Sequence, residues 1–154
     1  MAIGNKIQSA IKAKNNNYDD LAKALNITLN AINKKFYRNS FSAEDLIKIA
    51  DYLGYSLDFT DSGGGFTVSF IADDIKMLMG NKIKIAMSQK EKNEQDLADA
   101  LKITAKSMEM KFYRDSFSAE DLIKIADCLG YSLELSSDGL KIPFVMDDIR
   151  EEKR

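Results

Sequence analysis

Residues 36 to 57 read FYRNSFSAEDLIKIADYLGYSL, and residues 112 to 133 read FYRDSFSAEDLIKIADCLGYSL. The stretches differ at two positions only, Asn39 against Asp115 and Tyr52 against Cys128. At the same offset of 76 positions, 36 of the 60 residues that begin at Gly4 are identical in the two copies. Stacked repeat arrays use units of roughly 20–50 residues and at least three of them. The duplication therefore predicts two small domains in tandem.

Composition narrows the classes of function. The chain has no histidine, so it lacks the Ser-His and Cys-His nucleophile pairs and the commonest metal ligand. Its one cysteine permits no internal disulfide. We therefore expect no enzyme, no cofactor and no metal site. No apolar run approaches the roughly 20 residues that span a bilayer, so we expect no membrane association and a cytoplasmic location.

The charge balance bears on nucleic-acid binding. The net charge of −2 and the pI near 5.3 argue against a protein that coats nucleic acid non-specifically, since such domains carry a basic excess. A local basic face remains compatible with this total. The segment from Asn33 to Arg38 has three cations and no acid.

Apolar residues recur with a period near 3.6 and predict four helices in each copy. In the first copy, Ile3, Ile7 and Ile11 form the inner face of the first helix. The ends of the predicted helices are marked by Asn15, Asn26, the N-cap Thr28, the Ser42–Asp45 capping box and the C-cap Gly54.

After the fourth helix the apolar period changes to 2, which predicts a β-hairpin in each copy, at 55–71 and 131–146. The glycine-rich segment 61–65 is the predicted turn of the first hairpin. An isolated two-stranded hairpin is marginally stable in water, so we expect the two hairpins to join into one central sheet or to pack together at the centre. Pro143 predicts that the last strand lies at an edge or is irregular.

The organisation that follows from the repeat is a first unit at 1–72, a connector at 73–79, a second unit at 80–146 and a charged tail at 147–154. Asp73 and Asp74 are expected to open a helix that continues through Leu78 into the second unit. The tail alternates acidic and basic residues, and we expect a solvated helical end.

The stretch from Tyr18 to Leu57 resembles the helix-turn-helix of the lambda-repressor/Cro (XRE-type) family. The residues that carry the resemblance are Leu21-Ala22, Leu25, the turn Asn26-Ile27-Thr28, Ile32, Leu46 to Ala50 and Leu53-Gly54. The expected fold is mainly α with a small β part (α+β), in which two four-helix units are each followed by a hairpin. The resemblance covers the helices; the family usually continues with a fifth helix, where this chain turns to a hairpin as Cro-like members turn to β-strands. The family usually has glycine at the turn, where this chain has Asn26 and Lys102.

The resemblance also implies a function: sequence-specific binding to double-stranded DNA by a transcriptional regulator of phage or mobile-element type. The chain would act as a single-chain pseudo-dimer, with the second motif helix of each unit in the major groove. In the first copy, Leu29, Asn30 and Lys34 would face base edges, with Asn33 nearby. The residues expected near phosphates are Thr28, Lys35, Tyr37 and Arg38.

The second copy differs most in this helix, since only the first and last residues of 28–35 recur in 104–111. The candidate DNA-binding residues there are Thr104, Lys106, Met110, Lys111, Tyr113 and Arg114, with Ala105 also facing the bases. Glu109 and Asp115 add negative charge beside Lys111 and Arg114. Two interpretations stay open: the copies read two different half-sites, or the second copy no longer binds DNA and serves as a dimerisation or protein-binding half.

A second class of function also stays open. The same scaffold suits a protein-binding inhibitor or adaptor, for example an anti-CRISPR-like blocker of a nucleic-acid enzyme, because the acidic total suits a basic partner. Further association of two chains into a homodimer is not decided by the sequence.

Overall fold

The structure, a computed structural model, describes residues 2–61, 65–75 and 79–152. The predicted turn residues 62–64, Leu78 of the connector and the last two tail residues lie outside it. The helices are α1 (Ile3–Ala13), α2 (Tyr18–Ala24), α3 (Leu29–Arg38), α4 (Ala43–Leu53), α5 (Met79–Gln89), α6 (Glu94–Leu101), α7 (Ala105–Arg114), α8 (Ala119–Leu129) and α9 (Met146–Glu152). The strands are β1 (Ser56–Asp61), β2 (Thr67–Phe70), β3 (Tyr131–Ser137) and β4 (Leu140–Phe144). The predicted α+β class is confirmed, while the unit boundaries at 72 and 80 stay a prediction.

The helix ends follow the local sequence signals. Ser42 accepts a hydrogen bond from the Asp45 N–H while the Asp45 side chain accepts one from the Ser42 N–H, which completes the predicted capping box. Gly54 ends α4 in the left-handed region, at φ 82°. Asn26 and Lys102, the residues at the turn before α3 and α7, both adopt φ 59°. The lysine therefore takes the same turn conformation as the asparagine, although asparagine adopts it more readily.

The four strands form one antiparallel sheet in the order β2-β1-β3-β4. The two hairpins therefore pair through β1 and β3, and Pro143 lies in an edge strand, both as predicted. Leu57, Phe59, Leu133 and Leu135 alternate with polar residues and are fully buried against the helices. Buried residues of both halves belong to a single hydrophobic core within the described chain.

A pseudo-two-fold axis relates the two halves. In the β1–β3 pairing, Asp58 lies opposite Glu134, which is its own counterpart at the offset of 76. An isolated bridge likewise joins Ser42 to its counterpart Ser118. A residue that faces its own counterpart must lie at the symmetry axis, so the axis passes through both pairs. Next to the Ser42–Ser118 pair, the Ala43 N–H donates a 2.9 Å hydrogen bond to the Phe117 carbonyl. The Ala119 N–H donates an equivalent 2.9 Å hydrogen bond to the Phe41 carbonyl.

Each half also contacts the hairpin of the other half through its first helix. Lys6 of α1 donates to the Pro143 carbonyl of edge strand β4, and its counterpart Lys82 of α5 donates to the Ser69 carbonyl of edge strand β2 at 2.7 Å. Near the C-terminal ends of these helices, Lys14 donates to the Ser137 hydroxyl at 2.6 Å, while Lys90 pairs with Asp61 at 3.0 Å. These crossed contacts tie the halves together and occupy edge carbonyls that would otherwise be available for pairing with another strand.

The connector and the tail are only partly as expected. Residues Ala72–Ile75 form a short 3-10 helix, and the predicted continuation through Leu78 lies outside the described residues. In the tail, Asp148 and Ile149 are buried and not solvated. Asp148 accepts a hydrogen bond from the Val145 N–H at 2.8 Å and pairs with Lys6 at 3.4 Å, so its charge is compensated inside the fold.

Candidate nucleic-acid interface

Helices α3 and α7 begin and end in the same way. The Thr28 hydroxyl accepts from the Ala31 N–H and the Thr104 hydroxyl from the Ser107 N–H, each at 3.0 Å. Both helices end in a left-handed residue, Asn39 at φ 52° and its counterpart Asp115 at φ 53°. Thr28 and Thr104, two of the predicted DNA-binding residues, are therefore N-caps. Both are exposed, and the hydroxyl group of each already accepts a hydrogen bond within its helix.

Lys35 and Lys111 fasten these helices to the helices that follow. The Lys35 ammonium lies 2.7 Å from a carboxylate oxygen of Asp45, and the Lys111 ammonium lies 2.8 Å from the equivalent oxygen of Asp121. The same oxygens accept the capping-box hydrogen bonds of α4 and α8. Both lysines are half-buried and have this structural role, while their predicted phosphate contact stays a prediction.

The exposed face of α3 has hydrogen-bonding groups and cations without an acid. Leu29, Asn30, Asn33, Lys34, Tyr37 and Arg38 are all exposed, and Tyr37 retains 89% of its accessible surface. Within the described residues, no hydrogen bond or ion pair joins the side chain of Asn30, Asn33, Lys34 or Arg38 to another protein group. This face therefore offers two amides and two cations to a partner.

The equivalent face of α7 is chemically different. Lys106 lies 3.4 Å from the carboxylate of Glu109, one turn away on the same helix. Met110 takes the place of Lys34, is half-buried and offers no hydrogen-bond donor. Tyr113 and Arg114 are exposed, as their counterparts Tyr37 and Arg38 are in α3.

The C-terminal ends of α3 and α7 lie near the pseudo-two-fold axis. Arg38 borders a shallow depression together with the axial residues Ser42 and Ser118. Arg114 borders the equivalent depression on the other side of the same two serines. The two arginines thus flank the axis, while the predicted base-facing residues lie in the N-terminal and middle parts of the same helices. Glu44 and Glu120 also border the depressions and pair with the lysines one turn further along α4 and α8.

The Asn39/Asp115 difference has a structural role that the sequence did not indicate. The Asn39 amide oxygen accepts from the Gly4 N–H at 2.8 Å, at the start of α1. The Asp115 carboxylate accepts from Gly80 at 2.6 Å and from Met79 at 3.2 Å, at the start of α5. Asp115 therefore has a structural role at the start of α5, and its effect as a negative charge beside Lys111 and Arg114 stays a prediction. A carboxylate here complements the positive end of the α5 dipole.

Other chemistry is sparse in the part of the chain that the structure describes. There, no three His, Cys, Asp or Glu side chains come together to hold a metal ion. Among the same residues, no helix is long and apolar enough to cross a membrane. Burial raises the pKa of the Cys128 thiol, and Lys92 opposes the shift only partly, so the reactive thiolate is disfavoured.

The chain matches no described protein family, no curated protein and no solved structure. The resemblance to the lambda-repressor/Cro family therefore rests on the residues named above.

Proposed function

We propose that the protein is a sequence-specific DNA-binding regulator of transcription, of phage or mobile-element type, that acts in the cytoplasm as a single-chain pseudo-dimer. The observation that carries the proposal is the exposed face of α3, where Asn30, Asn33, Lys34 and Arg38 lie together without an acid. Asparagine pairs bidentately with adenine and lysine donates to guanine in the major groove. The face thus has the side chains that base recognition needs.

Charge placement supports the same proposal. The chain carries 22 basic and 24 acidic residues, so attraction to DNA must come from a local surface rather than from the total. Arg38 and Arg114 flank the axis, each next to an exposed tyrosine. In the proposed complex, these four side chains contact phosphates on either side of the centre of the site.

The rigid junction between the halves supports a pseudo-dimer. Backbone hydrogen bonds join the α3–α4 and α7–α8 loops at the axis, and the central sheet joins the hairpins. Helix-turn-helix pairs bind half-sites about 34 Å apart, one helical turn of DNA. A fixed junction provides the constant separation that such recognition needs, without a second chain.

Selection of random duplexes at low salt, followed by salt titration of the enriched sequence, tests the proposal. An enriched duplex whose affinity falls steeply with salt is expected, because phosphate contacts release counterions. The variant Lys34→Glu with Arg38→Glu should lower that affinity by at least about 100-fold, since it reverses two DNA-facing charges. The matched control Lys12→Glu with Lys141→Glu makes the same change in net charge at exposed positions outside this face and should retain specific binding. Absence of any enriched duplex overturns the proposal.

A second candidate function is a protein-binding inhibitor or adaptor. It is favoured by the exposure of Tyr37 at 89% and Tyr113 at 77%, because tyrosine and arginine contribute much of the binding energy of protein interfaces. This candidate predicts no enriched duplex and direct inhibition of a nucleic-acid enzyme. It also predicts that Tyr37→Ala with Tyr113→Ala removes the inhibition while the fold stays intact.

A further inference from the structure

Helices α3 and α7 can be compared residue by residue because the same contacts hold them. Each has a threonine N-cap, a left-handed C-cap and a lysine bound to the capping-box aspartate of the next helix. Each also buries one residue at the same position, Ile32 or Met108. Differences between their exposed faces are therefore differences of side-chain chemistry at matching positions.

Three positions on the exposed face differ in what they can recognise. In α3 they hold Asn30, Asn33 and Lys34, exposed and with no hydrogen bond or ion pair among the residues that the structure places. An asparagine amide both donates and accepts, so it distinguishes adenine from the other bases, and lysine favours guanine. This set can specify a sequence.

In α7 the same positions hold Lys106, Glu109 and Met110. The Lys106 ammonium lies 3.4 Å from Glu109, whose side chain is 65% exposed. Such an exposed ion pair contributes little energy. The more important difference is the net side-chain charge of the three positions, which is zero in α7 and +1 in α3. Methionine offers no donor, and the glutamate charge is repelled by nearby phosphates.

What α7 retains is the part that suits phosphate contact. Tyr113 and Arg114 are exposed at the axial end of the helix, as Tyr37 and Arg38 are in α3. These contacts carry no sequence information, but they fix the register and orientation of a protein on the duplex. The second half therefore keeps the means to hold DNA while it lacks the amides that discriminate bases.

We propose that α3 alone specifies the base sequence and that α7 holds the DNA backbone, so that the target is a non-palindromic duplex with one specified half-site. The inference rests on the proposed function and adds to it the class of target. Asn30, Asn33 and Lys34 are the specificity-determining residues. Arg114 and Tyr113 extend the contact across the axis.

The extent of the selected sequence tests this directly. We expect the enriched bases to occupy a single block shorter than about one helical turn, while footprinting protects about two half-sites, on the order of 20 base pairs. An inverted repeat, or two different specified blocks, overturns the inference but leaves the proposed function standing. Absence of any enriched duplex overturns both, so the two failures are distinguishable.

Paired substitutions test the residues. Asn30→Ala with Asn33→Ala should lower affinity for the selected duplex by at least about ten-fold, because each good base contact contributes that order of discrimination. The matched pair Lys106→Ala with Glu109→Ala should alter the affinity for the same duplex by less than about threefold. Equal losses from the two pairs overturn the inference. Unchanged thermal unfolding of both variants confirms that they are folded.

Transplanting the α3 face provides a gain of specificity. The variant Ala105→Leu, Lys106→Asn, Glu109→Asn and Met110→Lys places the α3 side chains on α7. Random selection with this variant should enrich an inverted repeat of the original block. An unchanged single block in a variant that remains folded overturns the assignment of specificity to these positions.

Discussion

Helices α3 and α7 occupy equivalent places in the two halves. The contacts at their ends are the same, but the side chains on their exposed faces differ. At the ends, caps and the Lys35–Asp45 and Lys111–Asp121 pairs repeat almost atom for atom. Along the sides, Asn33 becomes Glu109 and Lys34 becomes Met110. The comparison separates the contacts that hold a helix in place from the side chains that it offers to a partner.

The repeated 22-residue stretch contains residues that meet their own counterparts at the axis. The Phe41–Ser42 loop is hydrogen-bonded to the equivalent loop of the second half, and α4 packs against α8. A substitution in one copy therefore has to suit the other copy as well as its own. This mutual contact gives a physical reason why the stretch stayed nearly identical while α3 and α7 diverged.

Removing the carboxylate that holds each helix is expected to have the largest effect, and the same effect in both halves. Asp45→Ala and Asp121→Ala each remove the capping-box acceptor and the partner of a half-buried lysine. Each should lower the free energy of unfolding by about 2 kcal/mol, because hydrogen bonds to a charged group contribute roughly 1.5–3 kcal/mol. Urea unfolding at pH 7 measures the loss.

Asp19→Ala is the control, since its pair with Lys23 is exposed and 3.8 Å long. It should change the free energy of unfolding by at most about 0.5 kcal/mol. The losses for Asp45→Ala and Asp121→Ala should agree within about 1 kcal/mol. A larger difference would contradict the conclusion that equivalent contacts hold α3 and α7 in place.

The glycines at the start of α1 and α5 allow the close approach of Asn39 and Asp115. A Cβ at Gly4 would lie 2.7 Å from the Asn39 amide oxygen, and one at Gly80 would lie 3.1 Å from the Asp115 carboxylate. Alanine normally stabilises a helix interior by roughly 0.5–1 kcal/mol. Here the strained or broken hydrogen bond should outweigh that gain, and we expect a net loss of about 1 kcal/mol for each. Thermal unfolding measures it.

Gly65→Ala is the matched control, because a Cβ there meets nothing within 4 Å. Its effect should stay within about 0.5 kcal/mol. A rise in the melting temperature of Gly4→Ala or Gly80→Ala would show that the approach is not as tight as the geometry implies.

The Asn39/Asp115 difference should make the second half slightly better capped than the first. Asp115→Asn removes a charge that accepts from two N–H groups at the start of α5, and we expect a loss of about 0.5–1 kcal/mol. Asn39→Asp should stabilise the first half by about 0.5 kcal/mol at low salt. Both effects should shrink in high salt, as measured by urea unfolding with and without added salt. Opposite signs, or no dependence on salt, would contradict the dipole explanation.

Much of the fold followed from local sequence signals. The 3.6 and 2 periods predicted the helices and the hairpins, and the marginal stability of a lone hairpin predicted one sheet. The contacts of α1 and α5 with the hairpin of the other half could not be predicted from the sequence. A lysine such as Lys6 has no sequence signal that distinguishes it from a solvated lysine, because its acceptor, the Pro143 carbonyl, lies in a distant strand. Burial of Asp148 was missed for the same reason: its ion-pair partner Lys6 is distant in sequence.

Only part of the candidate site could be predicted from the sequence. The exposure of Asn30, Asn33 and Lys34 agrees with the helical positions read from the sequence. The ion pairs of Lys35 and Lys111 could not be predicted, because their aspartate partners lie ten residues away, across a loop whose direction the sequence does not give. The structural role of Asp115 could not be predicted either, because its hydrogen-bond donors belong to a helix 35 residues earlier in the sequence.

The smallest expected effect distinguishes the halves only at alkaline pH. Burial raises the pKa of Tyr55 and of its counterpart Tyr131 above the usual 10.0, and the charge of Asp61 raises that of Tyr131 further. As pH rises past 10, the unfolded chain loses these protons first, so the stability they contribute is complete below pH 10 and is lost as pH approaches the folded pKa. Tyr131→Phe should therefore reduce the alkaline slope of the melting temperature more than Tyr55→Phe does. Equal slopes for the two variants would remove Asp61 from the explanation and leave burial alone.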